Sequence, residues 1–241
     1  MERRGGSSVA NFFVQGPLAA GAVVPLPEAA AQHARVRRLA AGHDVRLIDG
    51  AGAVALGTLA AVERREVTFA IAEVQSVAPP APLTLLVPVA DRERMLWLAE
   101  KAAELAVTEW RPVIYARSRS VSPRGEGAGF AAKVRARMVA ALEQSGGAWL
   151  PGIHEERFLD DAIGACRGAV GVMLDPGGAP LPSLAPFGAL AVAIGPEGGF
   201  EAAEREALDA AGWRRASLGR ATLRFETAGV AAAAIVRAAQ G

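Results

Sequence analysis

Residues 45–74 read VRLIDGAGAVALGTLAAVERREVTFAIAEV, short runs of Val, Leu, Ile and Thr interrupted by Asp-Gly-Ala-Gly and by the charged cluster at residues 63–66. Apolar runs of strand length bounded by turn residues predict hairpins, and their close spacing predicts a small antiparallel barrel or sheet of about 75 residues, near the lower size for a core that stands alone. Residues 77–83, VAPPAPL, carry three prolines. Proline donates no ladder hydrogen bond and favours an extended path, so a boundary is expected there, between a first domain at residues 1–76 and a second at residues 83–241.

Beyond the boundary the pattern changes to alternating units. The apolar spacing predicts strand 83–89, helix 92–107, strand 111–116, helices 130–145 and 159–166, strands 169–175 and 189–195, helix 201–211, strand 216–219 and helix 227–239. The strand at 189–195 is apolar without alternation, as expected where helices cover both faces of a parallel sheet; the class is α/β. In such a sheet ligands bind at the carboxyl ends of the strands.

Composition narrows the field. A chain that is 51% hydrophobic is not disordered, and 26 Lys plus Arg against 25 Asp plus Glu exclude a polycationic coat or an acidic tail. Any charged partner must meet a local patch, and residues 81–150 hold three more basic than acidic side chains. The amino-terminal residues carry no apolar run of the kind a secretory signal needs, and the longest apolar stretches fall short of the roughly 20 residues that cross a bilayer. A soluble, cytoplasmic protein with no membrane partner is expected. The single cysteine, Cys166, sits in an apolar helical pattern and reads as a buried, inert thiol. The three histidines, His33, His43 and His154, are too scattered for a metal site, so none is expected.

Three loops follow the last three predicted strands: Leu174-Asp175-Pro176-Gly177-Gly178, Ile194-Gly195-Pro196-Glu197-Gly198-Gly199-Phe200 and Leu218-Gly219-Arg220-Ala221-Thr222-Leu223-Arg224. Their glycines permit close backbone approach, so main-chain groups could grip a flat polar ligand; the plainer alternative is a set of tight strand-to-helix turns. Neither GxxxxGK[ST] nor GxGxxG occurs, and Glu201 and Glu204 stand at a predicted helix amino terminus where a phosphate would otherwise dock. An ATPase or dinucleotide site is therefore disfavoured. Arg224 and Glu226 lead into the last helix, with Thr227 as its expected N-cap; they could be functional or a structural ion pair. That helix is apolar almost all round, which predicts burial.

The strings IGPEGGF and LGRATLRFETA, with the closing apolar helix, resemble the 16S ribosomal RNA uridine-N3 methyltransferases (the small-subunit methyltransferase E type) of the SPOUT superfamily. His33-Ala34-Arg35-Val36-Arg37-Arg38 with Leu47-Ile48-Asp49-Gly50 is similar to that family's PUA-like RNA-binding barrel, and Lys101, Glu104-Leu105 and Glu143-Gln144-Ser145 recur in its catalytic domain. The resemblance implies a PUA-like β-barrel before a SPOUT α/β domain with a deep trefoil knot, a homodimer, and 16S rRNA as substrate, within the assembled small ribosomal subunit. It also implies S-adenosylmethionine as cofactor, bound by Leu174, Ile194, Gly195, Pro196, Glu197, Gly198, Gly199, Leu218, Gly219 and Leu223. The chain departs from the family pattern at Asp91, Ala106, Gly147, Ala221 and Phe225, where Lys, Gly, Arg, Arg and a small polar residue are usual.

Uridine N3 carries a proton between two carbonyls and is a poor nucleophile until that proton leaves. Arg224 is expected to hold a uracil oxygen as charge develops, with Glu226 positioning Arg224 or accepting the proton. Phosphate contacts are expected from Arg35, Arg37, Arg38, Arg92 and Lys101, with Arg94, Arg117, Arg119 and Arg124 adding to the basic middle segment. Two other readings compete. One is an RNA-binding dimer with weak catalysis, suggested by Ala106, Gly147 and Ala221; the other is a doubly wound nucleotide oxidoreductase, against which the absent glycine fingerprints count.

Overall fold

The computed structural model describes residues 9–64, 66–120, 124–184 and 188–240. Two units emerge, residues 1–79 with 142–149 and residues 80–141 with 150–241. In the first, strands β1 (Ala10–Phe13), β2 (Val23–Pro25), β3 (Asp44–Ile48), β4 (Ala53–Val62) and β5 (Val67–Ser76) form one sheet in the order β1-β3-β4-β5-β2, with helix α1 (Glu28–Val36) beside it. The β3-β4-β5 hairpins lie where the apolar runs place them. The sheet is mixed rather than purely antiparallel, because β1 runs parallel to β3, Phe12 opposite Leu47. Val67, Phe69 and Ile71 alternate inward along β5 and meet Phe12, Leu47, Leu59 and the alanine face of α1 (Ala30, Ala31, Ala34).

Residues 142–149, expected in the second domain, belong to this first unit. The reason is local hydrogen bonding to a sheet edge, which would otherwise leave backbone donors unpaired. Phe13 N–H donates to the Glu143 carboxylate at 2.7 Å, Asn11 Nδ2 donates to the Glu143 carbonyl at 2.7 Å, and Trp149 Nε1 donates to the Val77 carbonyl at 3.0 Å.

The second unit contains β6 (Leu83–Pro88), α2 (Arg92–Glu104), β7 (Glu109–Ile114), α3 (Ala128–Ser145, whose last turn belongs to the first unit), β8 (Gly152–Ile153), β9 (Arg157–Phe158), α4 (Leu159–Ala165), β10 (Val170–Pro180), β11 (Leu190–Ala193), α5 (Ala202–Ala210), β12 (Arg214–Ser217) and α6 (Phe225–Gln240). Its sheet runs β12-β10-β11-β6-β7-β8, with β9 also on β7 and every pairing parallel. Successive residues of the central strands feed two cores. Leu85, Val172 and Val192 pack with α2, α3 and α6, while Leu86, Met173 and Ala191 pack with α4 and α5. Burial on both faces is why these strands lack alternation.

The structure corrects three local expectations. Strand β10 does not end at Asp175: both Leu174 and Ala179 oppose Ala216, so residues 175–178 are looped out as a bulge and the strand then resumes. Helix α6 starts at Phe225, which puts Thr227 inside its first turn rather than at the cap. That helix is buried along one face only, through Phe225, Glu226, Gly229, Ala232, Ala233 and Val236. A β-carbon on Gly229 would stand 2.8 Å from Leu98 and 3.1 Å from Ile194, so this glycine sets how closely α6 approaches α2 and β11. Cys166 is buried, and burial pushes its thiol pKa up, as an inert thiol requires. Among the described residues no helix is long and apolar enough to cross a membrane.

Two departures from the family pattern have structural roles. Asp91 caps α2 by accepting the Arg94 N–H at 3.0 Å. Ala106 holds φ at +53° just past the end of α2, where its N–H donates to Ala103 and that of Val107 to Ala102. This is a Schellman turn at the position where glycine is the unstrained choice.

Candidate active site

The bulge in β10, the turn after β11 and the segment after β12 converge at the carboxyl edge of the sheet. They enclose a cavity of about 310 Å³, within the range of small-ligand sites. Its wall includes Leu174, Ile194, Gly195, Pro196, Glu197, Gly198, Gly199, Leu218, Gly219 and Leu223. The ten residues expected to touch a cofactor thus share one cavity. Gly219 at φ +122° and Gly199 at φ +71° hold backbone conformations that a side chain disfavours. A β-carbon on Gly195 would lie 3.3 Å from the Phe200 ring. Glycine at these positions leaves room that side chains would fill, and the mixed polar and apolar wall fits a nucleoside-sized ligand.

The surroundings fix the loop. Glu197 pairs with Arg94 of α2, and Arg117 donates to the Gly198 carbonyl. At the start of α5 the Glu201 side chain and the Glu204 side chain form a reciprocal capping box, in which Glu201 N–H donates to Glu204 at 2.8 Å. Glu204 also accepts the Ala116 N–H at 2.8 Å. The helix amino terminus is therefore satisfied by carboxylates of the chain itself, in agreement with the sequence argument against a phosphate there.

Arg224 lies between two cavity-lining residues, Leu223 and Phe225, and its side chain is exposed. Glu226 is buried, its Oε2 has no hydrogen-bond partner among the described residues, and neither Arg224 nor Glu226 belongs to the cavity wall. Among the described residues the two form no ion pair, so Glu226 does not position Arg224 by direct contact. Sequence reasoning missed Arg205, which also lines the cavity. Arg205 sits one helical turn after Glu201, a spacing that could have placed it beside the loop.

The basic residues divide. Arg35 donates to the Glu63 carbonyl at 3.2 Å and pairs with Glu28 at 3.3 Å. Lys101 is held by Glu100 at 2.8 Å and Glu104 at 2.7 Å, whose hydrogen bonds raise its pKa. Arg92 lies over the Phe130 ring at 5.6 Å, Arg94 and Arg117 bind the 195–199 loop and its flank, and Arg124 pairs with Glu126 at 2.8 Å. The Arg119 side chain lies outside the described residues. Arg37 and Arg38 are exposed just beyond α1, and Arg38 holds φ at +55° where glycine would be relaxed. A cleft of about 490 Å³, lined by residues including Arg111, His154, Glu155, Arg157 and Asp161, lies at β7–β9, toward the other edge of the sheet from β12. Among the described residues no group of three or more His, Cys, Asp or Glu is placed to hold a metal ion.

A parallel α/β domain of the SPOUT type with a glycine-walled cavity at its strand ends, together with a small PUA-like sheet domain, defines a class of RNA-modifying proteins. Residues 78–237 match the RNA methyltransferase domain family and residues 26–72 match the RNA methyltransferase PUA domain. The chain belongs to the RNA methyltransferase family. Among similar solved structures is ribosomal RNA small subunit methyltransferase E from Neisseria gonorrhoeae bound to S-adenosyl methionine, 26% identical over 96% of this chain and 98% of that one, with a TM-score of 0.87. A Legionella pneumophila methyltransferase solved with bound S-adenosylmethionine is 26% identical over 96% and 98%, with a TM-score of 0.84. A Porphyromonas gingivalis rRNA methyltransferase is 26% identical over the same shares, with a TM-score of 0.80. No curated protein sequence matches the chain significantly.

Proposed function

We propose that this chain methylates N3 of a uridine in 16S ribosomal RNA, with S-adenosylmethionine as donor. The observation that carries this reading is the convergence of three glycine-bearing loops on one cavity beside Arg224, in a chain of the RNA methyltransferase family. When bound, the donor supplies an electrophilic methyl on a sulfonium, a strong leaving group. Main-chain groups of Ile194, Gly195, Gly198, Leu218 and Gly219 would hold its flat base. Leu174, Pro196, Gly199 and Leu223 would shape the rest of the wall, with Glu197 kept in place by Arg94.

On the acceptor side the uracil would give its N3 proton to solvent and its nitrogen would take the methyl, the donor leaving as a neutral thioether. Arg224 is the group assigned to the uracil oxygen that gathers charge, because a guanidinium stays protonated and presents fixed donors. Its exposed position at the cavity rim suits contact with an incoming base. Glu226 is buried at the first turn of α6, outside the wall, so its location does not favour proton acceptance from the substrate. Arg37 and Arg38 are the unburdened candidates for phosphate contact. A homodimer, a knotted cofactor domain and action on the assembled small subunit in the cytoplasm complete the reading. The half-exposed Trp97 and the outer face of α6 are surfaces that a second copy would cover.

The test is mass-spectrometric mapping of 16S rRNA from cells lacking the protein, followed by methylation of their small subunits with the purified enzyme. Loss of one N3-methyluridine and its restoration in vitro are expected. An unchanged methylation map would end the proposal.

A further inference from the structure

Arg205 and Asp175 are both in the cavity wall, and Arg205 is the sole cationic side chain among the described lining residues. Arg205 Nε donates to Asp175 Oδ2 at 3.3 Å, while Asp175 Oδ1 accepts the Gly177 N–H of the bulge at 2.8 Å. The Asp175 side chain is only 13% exposed and is held at both oxygens, so it anchors one edge of the guanidinium. No partner is found for the two Nη groups among the described residues. A β-carbon on Gly199 would lie 3.8 Å from Nη2, so that free edge rests against the glycine turn of the cavity.

A guanidinium fixed through Nε and open at its Nη edge is preorganised for a carboxylate, since two parallel N–H donors match two carboxylate oxygens and little side-chain freedom remains to be lost. We propose that Arg205 binds the carboxylate of the amino-acid tail of S-adenosylmethionine and that Asp175 is its positioning residue. This rests on the cofactor reading above and adds to it the recognition of a particular end of the donor. The other carboxylate in the wall, Glu197, is already engaged by Arg94 and would not compete for Arg205.

Isothermal titration of the full chain with S-adenosylmethionine, S-adenosylhomocysteine and 5′-methylthioadenosine, which lacks the tail, tests the assignment. For Arg205→Gln the affinity for the first two ligands should fall about ten- to a hundredfold, as expected for a lost hydrogen-bonded charge contact. Affinity for 5′-methylthioadenosine should stay within about twofold, which also shows that the variant is folded. Arg205→Lys should recover part of the loss, and Asp175→Asn, which keeps an oxygen for Gly177 N–H, should show an intermediate loss with the same ligand dependence. Equal weakening of all three ligands would overturn the proposal, placing the pair on the ribose or in the fold, as would unchanged affinity for S-adenosylmethionine. Failure of the unsubstituted chain to bind any of the three would instead strike the cofactor reading itself.

Discussion

Gly178 and Gly177 are adjacent in the β10 bulge, yet the structure gives them opposite tolerance. A β-carbon on Gly178 would stand 2.5 Å from the Ala216 amide nitrogen and 2.5 Å from the Arg215 carbonyl carbon, where ordinary contact begins at 3.4 Å. Those atoms are the backbone of β12 and cannot rotate aside, so Gly178→Ala must push the bulge off its neighbour by the better part of an ångström. Overpacking of this kind costs about 1–3 kcal/mol, and for a chain of this length each kcal/mol lowers the melting temperature by about 2–4 °C. The displaced residues include Leu174, Asp175 and Pro176 of the cavity wall, so affinity for S-adenosylmethionine should fall about tenfold or more, a misplacement of this size being costly in a preformed site. On Gly177 the added carbon would meet only Asp175 Oδ1 at 3.3 Å, a contact that about a tenth of an ångström relieves without breaking the Asp175 hydrogen bonds, so Gly177→Ala should cost far less than Gly178→Ala. Thermal melting and calorimetry of both variants decide the matter. A Gly178→Ala protein that melts and binds the cofactor like the parent would refute the reasoning.

Replacing Arg224 by Ala should lower single-turnover methyl transfer about a hundred- to a thousandfold and leave calorimetric binding of S-adenosylmethionine intact; a parallel loss of cofactor binding would place Arg224 in the cavity instead. Ala106→Gly should stabilise the chain by about 1 kcal/mol in thermal or denaturant unfolding, by relieving a left-handed backbone at the end of α2. The Tyr115 hydroxyl is buried without a hydrogen-bond partner among the described residues, and burial holds its pKa well above the ordinary value. Tyr115→Phe should therefore raise stability by about 1–3 kcal/mol, since the edge-on ring contact with Phe200 at 5.3 Å remains. The sign with pH follows: above the ordinary tyrosine pKa the unfolded chain ionises and the folded one does not, so the parent loses stability in alkali and the Phe variant should lose less. In RNA binding, Arg37→Ala and Arg38→Ala should each reduce the slope of log affinity against log salt by about one, whereas Arg35→Ala should act mainly on melting temperature; an unchanged slope in all three would remove this surface from the RNA contact.

How much of this was legible beforehand depended on whether the signal was local. The second unit's strands and helices could be read because apolar runs and charged helix faces are properties of neighbouring residues, and the glycine loops because they follow the strands directly. The bulge at residues 175–178 was not legible: its continuation at Ala179 depends on pairing with Ala216, far along the chain. Strand β1 escaped for the same reason, since only β3 gives Phe12 its place. The basic residues show a different limit. Arg37 and Arg35 look alike in a string of charges, and only coordinates reveal that Arg35 is held by Glu28 and the Glu63 carbonyl. Ala106 and Asp91, which stand out in the sequence only as departures from the family pattern, turn out to end and begin a helix.

The carboxylates that close the front of α5 bear on which cellular molecules can interfere with the enzyme. A helix start with open amides is a general receptor for phosphoryl groups, and nucleoside triphosphates share the adenosine portion of the donor. With the Glu201–Glu204 capping box at its start, α5 is not such a receptor, and neither carboxylate lines the cavity. What separates the methyl donor from the abundant energy carriers therefore has to lie in the cavity wall itself, where Arg205 is the sole cation among the described lining residues.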